Sequence, residues 1–243
     1  MKAVCFTDYS NESKGQCTNP LIRFDPIRGL AVGFVIAYPL PTHSIKGVPS
    51  DSEIVFLLLS CAIYMPYPNW EHFPKNRSPS SVAQNIVKVF ENNSKKIDSR
   101  KAKKRLKSND VLAILSADLL EIENMEVEHR DEDGTLHKID RPVLYGEGGK
   151  ARKSFQPDGY HNPSGLIFEV EAGMTVPNNM AYKDLIKACL MEGTNHFVLA
   201  VPLFYDGGGS KSNPYSVVVR DFSAIFESAR LQLPLETVTV IGY

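Results

Sequence analysis

The chain has 243 residues and a formal net charge of −1, with 43% hydrophobic and 23% charged residues. This composition is typical of an ordinary globular protein, and we expect one large domain or a domain with an elaborated half. The near-zero total charge excludes any inference of nucleic-acid binding from overall charge, so such binding would need a local basic patch.

The cysteines indicate the redox setting of the protein. Cys5, Cys17, Cys61 and Cys189 form no C-x-x-C pair, which favours reduced packing residues in a cytoplasmic protein. A zinc site that uses Cys5, Cys17 and a histidine is the weaker alternative, because the spacing fits no standard pattern. We expect no signal peptide and no membrane contact, since the apolar stretch Ile54–Met65 is shorter than the roughly 20 residues that span a bilayer.

The first part of the chain, residues 1–108, is predicted to form strands and helices that pack on the remainder. Residues 1–49 suggest one or two strands that end at Pro39. The apolar run 54–65 predicts a buried helix, because Ser50 and Glu53 have the spacing of a capping box just before it. A proline-rich loop follows.

A second helix is predicted to begin at Ser78-Pro79, with the proline at the first helical position. Its apolar stripe consists of Val82, Ile86, Val89 and Phe90, which recur at helical spacing. This spacing predicts that one face of the helix packs into the core.

The densest basic stretch follows that helix, at residues 95–107, where eight lysines and arginines accompany a single aspartate. Charge runs of this kind are typical of a solvated helix end or a mobile loop. They are equally consistent with an arm that binds phosphate groups. The sequence leaves both interpretations open.

Residues 109–243 show helix and strand signals in the order α-β-β-β-α-β-α-β. The strand–helix–strand unit over 166–205 predicts a right-handed parallel crossover, and a hairpin at Asp133-Gly134 makes the sheet mixed. The other predicted elements are a helix over 109–121 with Val111, Leu112, Leu115 and Leu119 as its apolar face and Ser108 or Asn109 as its cap, a helix over 215–230 and a final strand over 237–243.

The helix of the crossover is predicted over residues 179–191. Its apolar face is assigned to Tyr182, Leu185, Ile186 and Cys189. The charged side chains off that face are Lys183, Asp184 and Lys187. Asn178 or Asn179 is expected to cap the helix or to hydrogen-bond a DNA backbone or base edge.

Three carboxylates are predicted to meet on two neighbouring strands. Glu169 and Glu171 alternate with Phe168 and Val170 along an apolar strand, so the two glutamates point away from the face that Phe168 and Val170 share. If the preceding strand pairs with this one, Asp158 lies beside Glu169, and Glu171 lies one pleat further along. A glutamate alternation of this kind is also common on solvent-facing strands.

Carboxylates this close repel one another unless a proton or a divalent cation is bound. Asp158, Glu169 and the backbone carbonyl of Val170 offer the hard oxygen ligands that Mg²⁺ prefers, and Mn²⁺ can substitute. Glu171 would then orient or deprotonate a water that attacks a phosphodiester. The pattern fits one metal ion or two.

This combination resembles the PD-(D/E)xK nuclease superfamily over about residues 109–205. Pro157-Asp158 matches the PD element, and Glu169-Val170-Glu171 matches (D/E)-x-K after a ten-residue gap. The resemblance implies an α/β fold with a restriction-endonuclease-like central mixed sheet flanked by helices. Most members have lysine where Glu171 stands, although some type II restriction endonucleases also have glutamate there. Lysine can stabilise charge, whereas glutamate must act as a base or a metal ligand.

The resemblance also implies a catalytic carboxylate on a helix before the sheet, and Glu121 is the first candidate, with Glu91 and Asp118 behind it. The DNA cleft is expected to involve the basic segment 95–107, a flexible basic loop at 146–153 and the loop at 207–213. The residues predicted to contact DNA are Lys101, Lys103, Lys104, Arg105, Arg152, Lys153, Asn178, Asn179, Lys183 and Lys211.

The function implied by the resemblance is a Mg²⁺-dependent endonuclease that cleaves double-stranded DNA, in the class of type II restriction enzymes. Residues 109–243 would form the nuclease core, unless the whole chain is one domain. Cutting both strands of a palindrome favours a homodimer, and a cognate DNA methyltransferase encoded nearby is a possible partner. The alternatives are a non-catalytic DNA-binding protein on the same fold and a nuclease of repair, transposition or phage defence.

Overall fold

The computed structural model describes residues 67–102, 105–172, 175–207, 211–228 and 230–243. The strands and the buried helix predicted before residue 67 lie outside the described residues, as do Lys103, Lys104 and the first three cysteines. Within the described ranges, the helices are α1 (Ser81–Asn92), α2 (Ser94–Ile97), α3 (Ser108–Leu120), α4 (Met180–Leu190) and α5 (Pro214–Ser228).

The described strands are β1 (Asn69–Phe73), β2 (Met125–Val127), β3 (His129–Arg130), β4 (Leu136–His137), β5 (Arg141–Tyr145), β6 (Ala151–Phe155), β7 (Gly159–His161), β8 (Leu166–Val170), β9 (His196–Val201), β10 (Tyr205–Asp206), β11 (Lys211–Ser212) and β12 (Thr237–Gly242). Six of these strands form one sheet in the order β1-β12-β9-β8-β7-β2. Strands β8, β9 and β12 are parallel, and the remaining pairs in the sheet are antiparallel. The predicted mixed α/β class is therefore confirmed.

The central strand β8 is buried on both sides of the sheet. Leu166, Phe168 and Val170 pack into a core shared with α1 and α3, whereas Ile167 packs into a second core shared with α4 and α5. Because side chains alternate along a strand, Glu169 lies on the same side as Ile167. The alternation read from the sequence is confirmed, and it directs Glu169 toward α4.

Helix α1 begins two residues later than predicted. The hydroxyl of Ser80 accepts a hydrogen bond from the backbone N–H of Ala83 (3.2 Å) and caps the helix, so Pro79 precedes the cap instead of opening the first turn. The predicted apolar stripe of α1 is buried. The Phe90 ring packs edge-on against Phe168, with ring centroids 6.2 Å apart, and this contact joins the helix to the central strand.

Helix α3 also has its predicted apolar residues buried, but its predicted cap is wrong. Lys107 occupies the N-cap position and makes no side-chain capping bond, so the first turn is not closed by Ser108 or Asn109. The helix therefore owes its position to packing against α1 and β2.

The beginning of the basic segment 95–107 packs against the core. Ile97, Asp98 and Ser99 are buried, and the Ser99 hydroxyl accepts a hydrogen bond from the backbone N–H of Phe204 (3.1 Å). The Asp98 carboxylate pairs with Arg100 at 2.8 Å. This part of the segment is thus the end of helix α2 and a turn that pack on the core.

The parallel crossover β8–α4–β9 is confirmed, with Phe168 opposite Val198 in the register of the two strands. At the carboxyl end of β8 the sheet also presents the start of β7 and the end of β2, because Gly159 pairs with both Phe168 and Val127. None of the helices in the described ranges has the length and apolarity needed to cross a membrane.

Candidate functional site

Asp158 lies immediately before β7, beside the carboxyl end of β8. One of its carboxylate oxygens (Oδ2) accepts a hydrogen bond from the backbone N–H of Val170 at 2.7 Å, and its carbonyl accepts one from the N–H of Glu128 at 2.7 Å. The next residue, Gly159, is closely packed, since a Cβ there would lie 2.7 Å from the terminal methyl of Met125 and 3.1 Å from the Phe168 ring. Close strand packing and two backbone contacts therefore hold Asp158 against the end of β8.

Glu169 points from β8 toward α4, where it meets two charged residues. The Lys187 ammonium lies 3.0 Å from Glu169 Oε1 and 2.7 Å from Asp184 Oδ1. Glu169 and Asp184 are buried, with 5% and 1% of their surfaces exposed, while Lys187 is half-buried. A single ammonium thus bridges a strand carboxylate and a helix carboxylate.

Glu171 follows β8 and is fixed through its backbone. Its N–H donates to the carbonyl of Ala200 at 2.8 Å, and its carbonyl accepts from the Tyr243 hydroxyl at 2.7 Å. Its side chain lies near the Asp184 carboxylate, and its pKa is raised by burial and by that carboxylate. Two ionised carboxylates repel each other, so this proximity favours a bound proton or a cation.

The electrostatics of the cluster follow from this crowding. Burial, then the charges of Glu128 and Asp184, raises the pKa of Asp158 to about 6, although the Val170 N–H and Lys187 oppose the change. Burial and the neighbouring Asp184 raise the pKa of Glu171 to about 8.

The pKa of Glu169 is also raised well above its ordinary value, by burial and then by Asp158 and Asp184. Burial lowers the pKa of Lys187, but the carboxylates of Glu169 and Asp184 outweigh that effect and raise it overall. The Lys187 ammonium therefore stays positively charged and balances one negative charge of the cluster. The other carboxylates must be neutralised by protons or by a cation.

The acidic cluster, defined here as Asp158, Glu169, Glu171 and Asp184, has the donor set that a hard divalent cation binds. Lys187 balances one of its negative charges. The second oxygen of Asp184 is buried and has no hydrogen-bond partner among the described residues. In an extended residue the N–H and C=O point to the same side, so the Val170 carbonyl faces Asp158 as well. The oxygen atoms of Asp158, Glu169 and the Val170 carbonyl are of the type that coordinates Mg²⁺.

Asp184 and Lys187 are the site residues that the sequence prediction missed. The apolar face of α4 was assigned to Tyr182 and Ile186, yet these side chains are 37% and 58% exposed. The buried positions of the helix are instead Ala181, Asp184, Leu185 and Ala188. This set has the i, i+3, i+4, i+7 spacing of a helix face. The sequence therefore contained the spacing of the buried face, but one of its four positions is an aspartate and was not counted as buried.

The helix carboxylates predicted before the sheet lie elsewhere. Glu121 is exposed at the C-cap of α3, just before β2, whose first residue Met125 pairs with the last residue of β7. That is the opposite end of β7 from Asp158. Asp118 accepts a hydrogen bond from the Asn93 amide at 2.6 Å, on the α1 side. The fourth carboxylate of the site comes from the helix after the motif strand.

The predicted basic loop at 146–153 is the turn and second strand of the β5–β6 hairpin. Arg152 and Lys153 are exposed on β6, and Gln156 and Pro157 connect that strand directly to Asp158. The hairpin therefore projects from the same edge of the sheet as the acidic cluster. A hydrogen bond from the Gly146 N–H to the Lys150 carbonyl at 2.9 Å closes its turn, and residues 151–153 belong to strand β6 instead of the predicted loop.

The other predicted DNA contacts lie on several elements. Lys101 is exposed and lies 3.4 Å from Asp98, while the Arg105 guanidinium stacks 4.8 Å from the centre of the Tyr205 ring. Lys211 is exposed on β11, in the hairpin that follows β9. Lys183 is exposed on α4 and lies outside the ion pairs of Lys187.

The two asparagines before α4 are exposed. Asn179 occupies the N-cap position with a left-handed backbone (φ 52°) and makes no side-chain capping bond, so capping by this side chain was a wrong prediction.

Comparison with known proteins assigns no relationship: no family model, curated protein or solved structure matches the chain.

Proposed function

We propose that this chain is a Mg²⁺-dependent endonuclease of the PD-(D/E)xK type, which hydrolyses phosphodiester bonds in double-stranded DNA. The observation that carries the proposal is that four carboxylates and one lysine, carried by β8, by α4 and by the residues directly before β7 and after β8, lie together at the carboxyl end of β8. A surface alternation of glutamates would not bury Glu169 or surround it with further acids.

The metal-holding residues in this proposal are Asp158, Glu169 and the carbonyl of Val170. Mg²⁺ bound there would neutralise charge on the scissile phosphate and increase the acidity of water at the site. Contacts within the chain hold both carboxylates in place. The Val170 N–H fixes the Asp158 carboxylate, and the Lys187 ammonium fixes the Glu169 carboxylate.

Glu171 is proposed as the general base. Its pKa is raised to about 8 in the metal-free protein, and a cation bound beside it would favour the ionised form, which can accept a proton from the attacking water. As the water oxygen bonds to phosphorus, one P–O ester bond breaks and the departing oxygen takes up a proton from solvent. Lys187 would stabilise the negative charge that develops on the phosphate, which is the role that motif lysine has in most of the superfamily.

DNA would be bound along the edge that carries the cluster. Arg152 and Lys153 on the β5–β6 hairpin and Lys211 on the β10–β11 hairpin supply phosphate-binding charge on either side of it. We further propose a homodimer of the type II restriction class, because two such centres in two-fold arrangement are the simplest way to cleave both strands of a palindrome.

The test is cleavage of supercoiled plasmid DNA with Mg²⁺ by the wild-type protein and by Glu169→Gln. The substitution keeps the size of the side chain but removes the charge, so we expect cleavage to fall by at least about a thousandfold. Glu126→Gln is the matched control, because Glu126 is an exposed glutamate on the neighbouring strand β2.

Calorimetry with MgCl₂ separates the proposed function from its alternatives. Wild-type protein should bind the ion, and Glu169→Gln should bind it much more weakly. A wild-type protein that binds DNA but neither binds Mg²⁺ nor cuts would overturn the proposal in favour of a non-catalytic DNA-binding protein. Full cleavage by Glu169→Gln would show that the acidic cluster takes no part in the reaction.

A further inference from the structure

The short hairpin β3–β4 brings together two histidines and an aspartate. His129 and His137 are direct partners in the antiparallel register, so their side chains lie on the same face of the hairpin. Asp131 follows His129 by two residues and extends from the same face. The turn is held by hydrogen bonds between Asp131 and Thr135 and between Gly134 and Asp131, at 3.0 and 2.9 Å.

The three side chains converge on one point. One nitrogen or oxygen atom from each lies within 4.8 Å of the others. The distance from His129 Nε2 to Asp131 Oδ1 is 3.4 Å, and His137 Nε2 contacts the other oxygen of the same carboxylate. Ligands about 2.0–2.1 Å from a tetrahedral zinc ion are separated by about 3.4 Å, so the first pair already has the required spacing.

His129 is oriented as a metal ligand would be. Its Nδ1 lies 2.8 Å from the carbonyl oxygen of Val127, and a carbonyl can only accept, so Nδ1 carries the hydrogen. In the neutral imidazole the lone pair is then on Nε2, the atom that faces Asp131. A backbone carbonyl that fixes the tautomer of a ligating histidine is a recurrent feature of zinc sites.

His137 and Asp131 have the freedom to adjust to an ion. Their side chains are 50% and 48% exposed, and the two imidazole rings stack with centroids 4.8 Å apart and planes inclined by 12°. A small rotation of His137 would open its contact with Asp131 enough to admit an ion between them. The fourth position of a tetrahedral site would face solvent.

We propose that the hairpin 129–137 binds one Zn²⁺ through His129 Nε2, Asp131 and His137. Two imidazoles and a carboxylate form a borderline-soft donor set that zinc accepts and Mg²⁺ does not favour. The site is distinct from the acidic cluster, but it is joined to it in the chain, because Glu128 donates its N–H to Asp158 directly before His129. A bound ion would fasten the hairpin beside that edge.

The test is titration with ZnCl₂ in excess MgCl₂, so that the acidic cluster is occupied by its preferred ion. We expect one Zn²⁺ per chain, and an affinity at least about tenfold lower for His137→Ala and for Asp131→Asn. Glu132→Gln is the matched control, since Glu132 is an exposed carboxylate in the same turn and outside the cluster. Its affinity should equal that of the wild type.

Co²⁺ substitution gives a second readout, which in the wild type reports the coordination geometry directly. The wild-type protein should develop the intense visible absorption of tetrahedral Co²⁺, and His129→Ala should not. Hydrogen exchange of the hairpin amides should slow with zinc in the wild type alone. Equal zinc affinity in wild type and His137→Ala, or no tetrahedral cobalt spectrum in the wild type, would overturn the proposal.

Discussion

Replacing Glu171 with glutamine should stabilise the metal-free protein at alkaline pH. In the folded state burial and Asp184 keep Glu171 protonated up to a pKa of about 8, whereas its ordinary pKa is 4.5. The unfolded chain therefore releases this proton at lower pH than the folded chain does. The stability that Glu171 contributes to the wild type therefore falls as pH rises from 4.5 to about 8, and this loss is complete above that window.

The size of the effect follows from the same values. A tenfold difference in ionisation constant is worth about 1.4 kcal/mol, which gives about 5 kcal/mol for a fully buried group with this difference. Glu171 is partly exposed, so solvent screening reduces the expected stabilisation to about 1–3 kcal/mol. Glutamine resembles the protonated acid, and its amide can donate to Asp184 without titrating.

The assay is urea unfolding in the presence of a chelator, at a series of pH values from 4.5 to about 9. The difference in unfolding free energy between Glu171→Gln and wild type should grow through this range and level off above pH 8. Glu126→Gln, exposed on β2, should show no such trend. A Glu171→Gln protein that is less stable than wild type at pH 8, or a difference that does not vary with pH, would refute the electrostatic description of the cluster.

Three further outcomes follow from the site. Mg²⁺ affinity should rise by about fivefold between pH 7 and pH 8, since ionisation of Glu171 accompanies binding. Calorimetry in two buffers of different ionisation enthalpy measures the affinity and the number of protons released. A Mg²⁺ affinity that does not change between these pH values would contradict the coupling. Lys187→Met should lower the unfolding free energy by about 1–3 kcal/mol without metal, because two buried carboxylates lose their counter-charge. Urea unfolding with Mg²⁺ should show that part of the lost stability returns. No recovery with Mg²⁺ would argue that the ion and Lys187 do not share a site. The double variant Arg152→Ala, Lys153→Ala should reduce the salt dependence of DNA binding, seen by fluorescence anisotropy, by about two ions; an unchanged slope would place the DNA elsewhere.

Strand residues of the site could be predicted from the sequence because a strand has a fixed two-residue alternation. Once Phe168 and Val170 are assigned to the core, the direction of Glu169 follows, and the pairing of β7 with β8 brings Asp158 beside it. No tertiary information beyond that one pairing is needed.

The helix residues of the site could not be found in the same way. A hydrophobic stripe assumes that buried positions are apolar, and on α4 the assumption fails at Asp184, which is 1% exposed, and at Ile186, which is 58% exposed. Burial of the aspartate depends on Lys187 and on carboxylates 13 or more residues earlier in the chain. The pairing of His129 with His137 likewise depends on hairpin register, which the spacing of histidines along the chain does not reveal.

Nicking of supercoiled plasmid DNA in Mg²⁺ by Asp184→Asn is the most direct test of a nuclease centre at the acidic cluster. Asp184 joins Glu171 to Lys187, and its loss should reduce cleavage by at least about a hundredfold while DNA binding is retained. Asp221→Asn, on the adjacent helix α5, is the matched control and should cleave like the wild type. Undiminished cleavage by Asp184→Asn, or no Mg²⁺-dependent cleavage by the wild-type protein, would contradict the assignment.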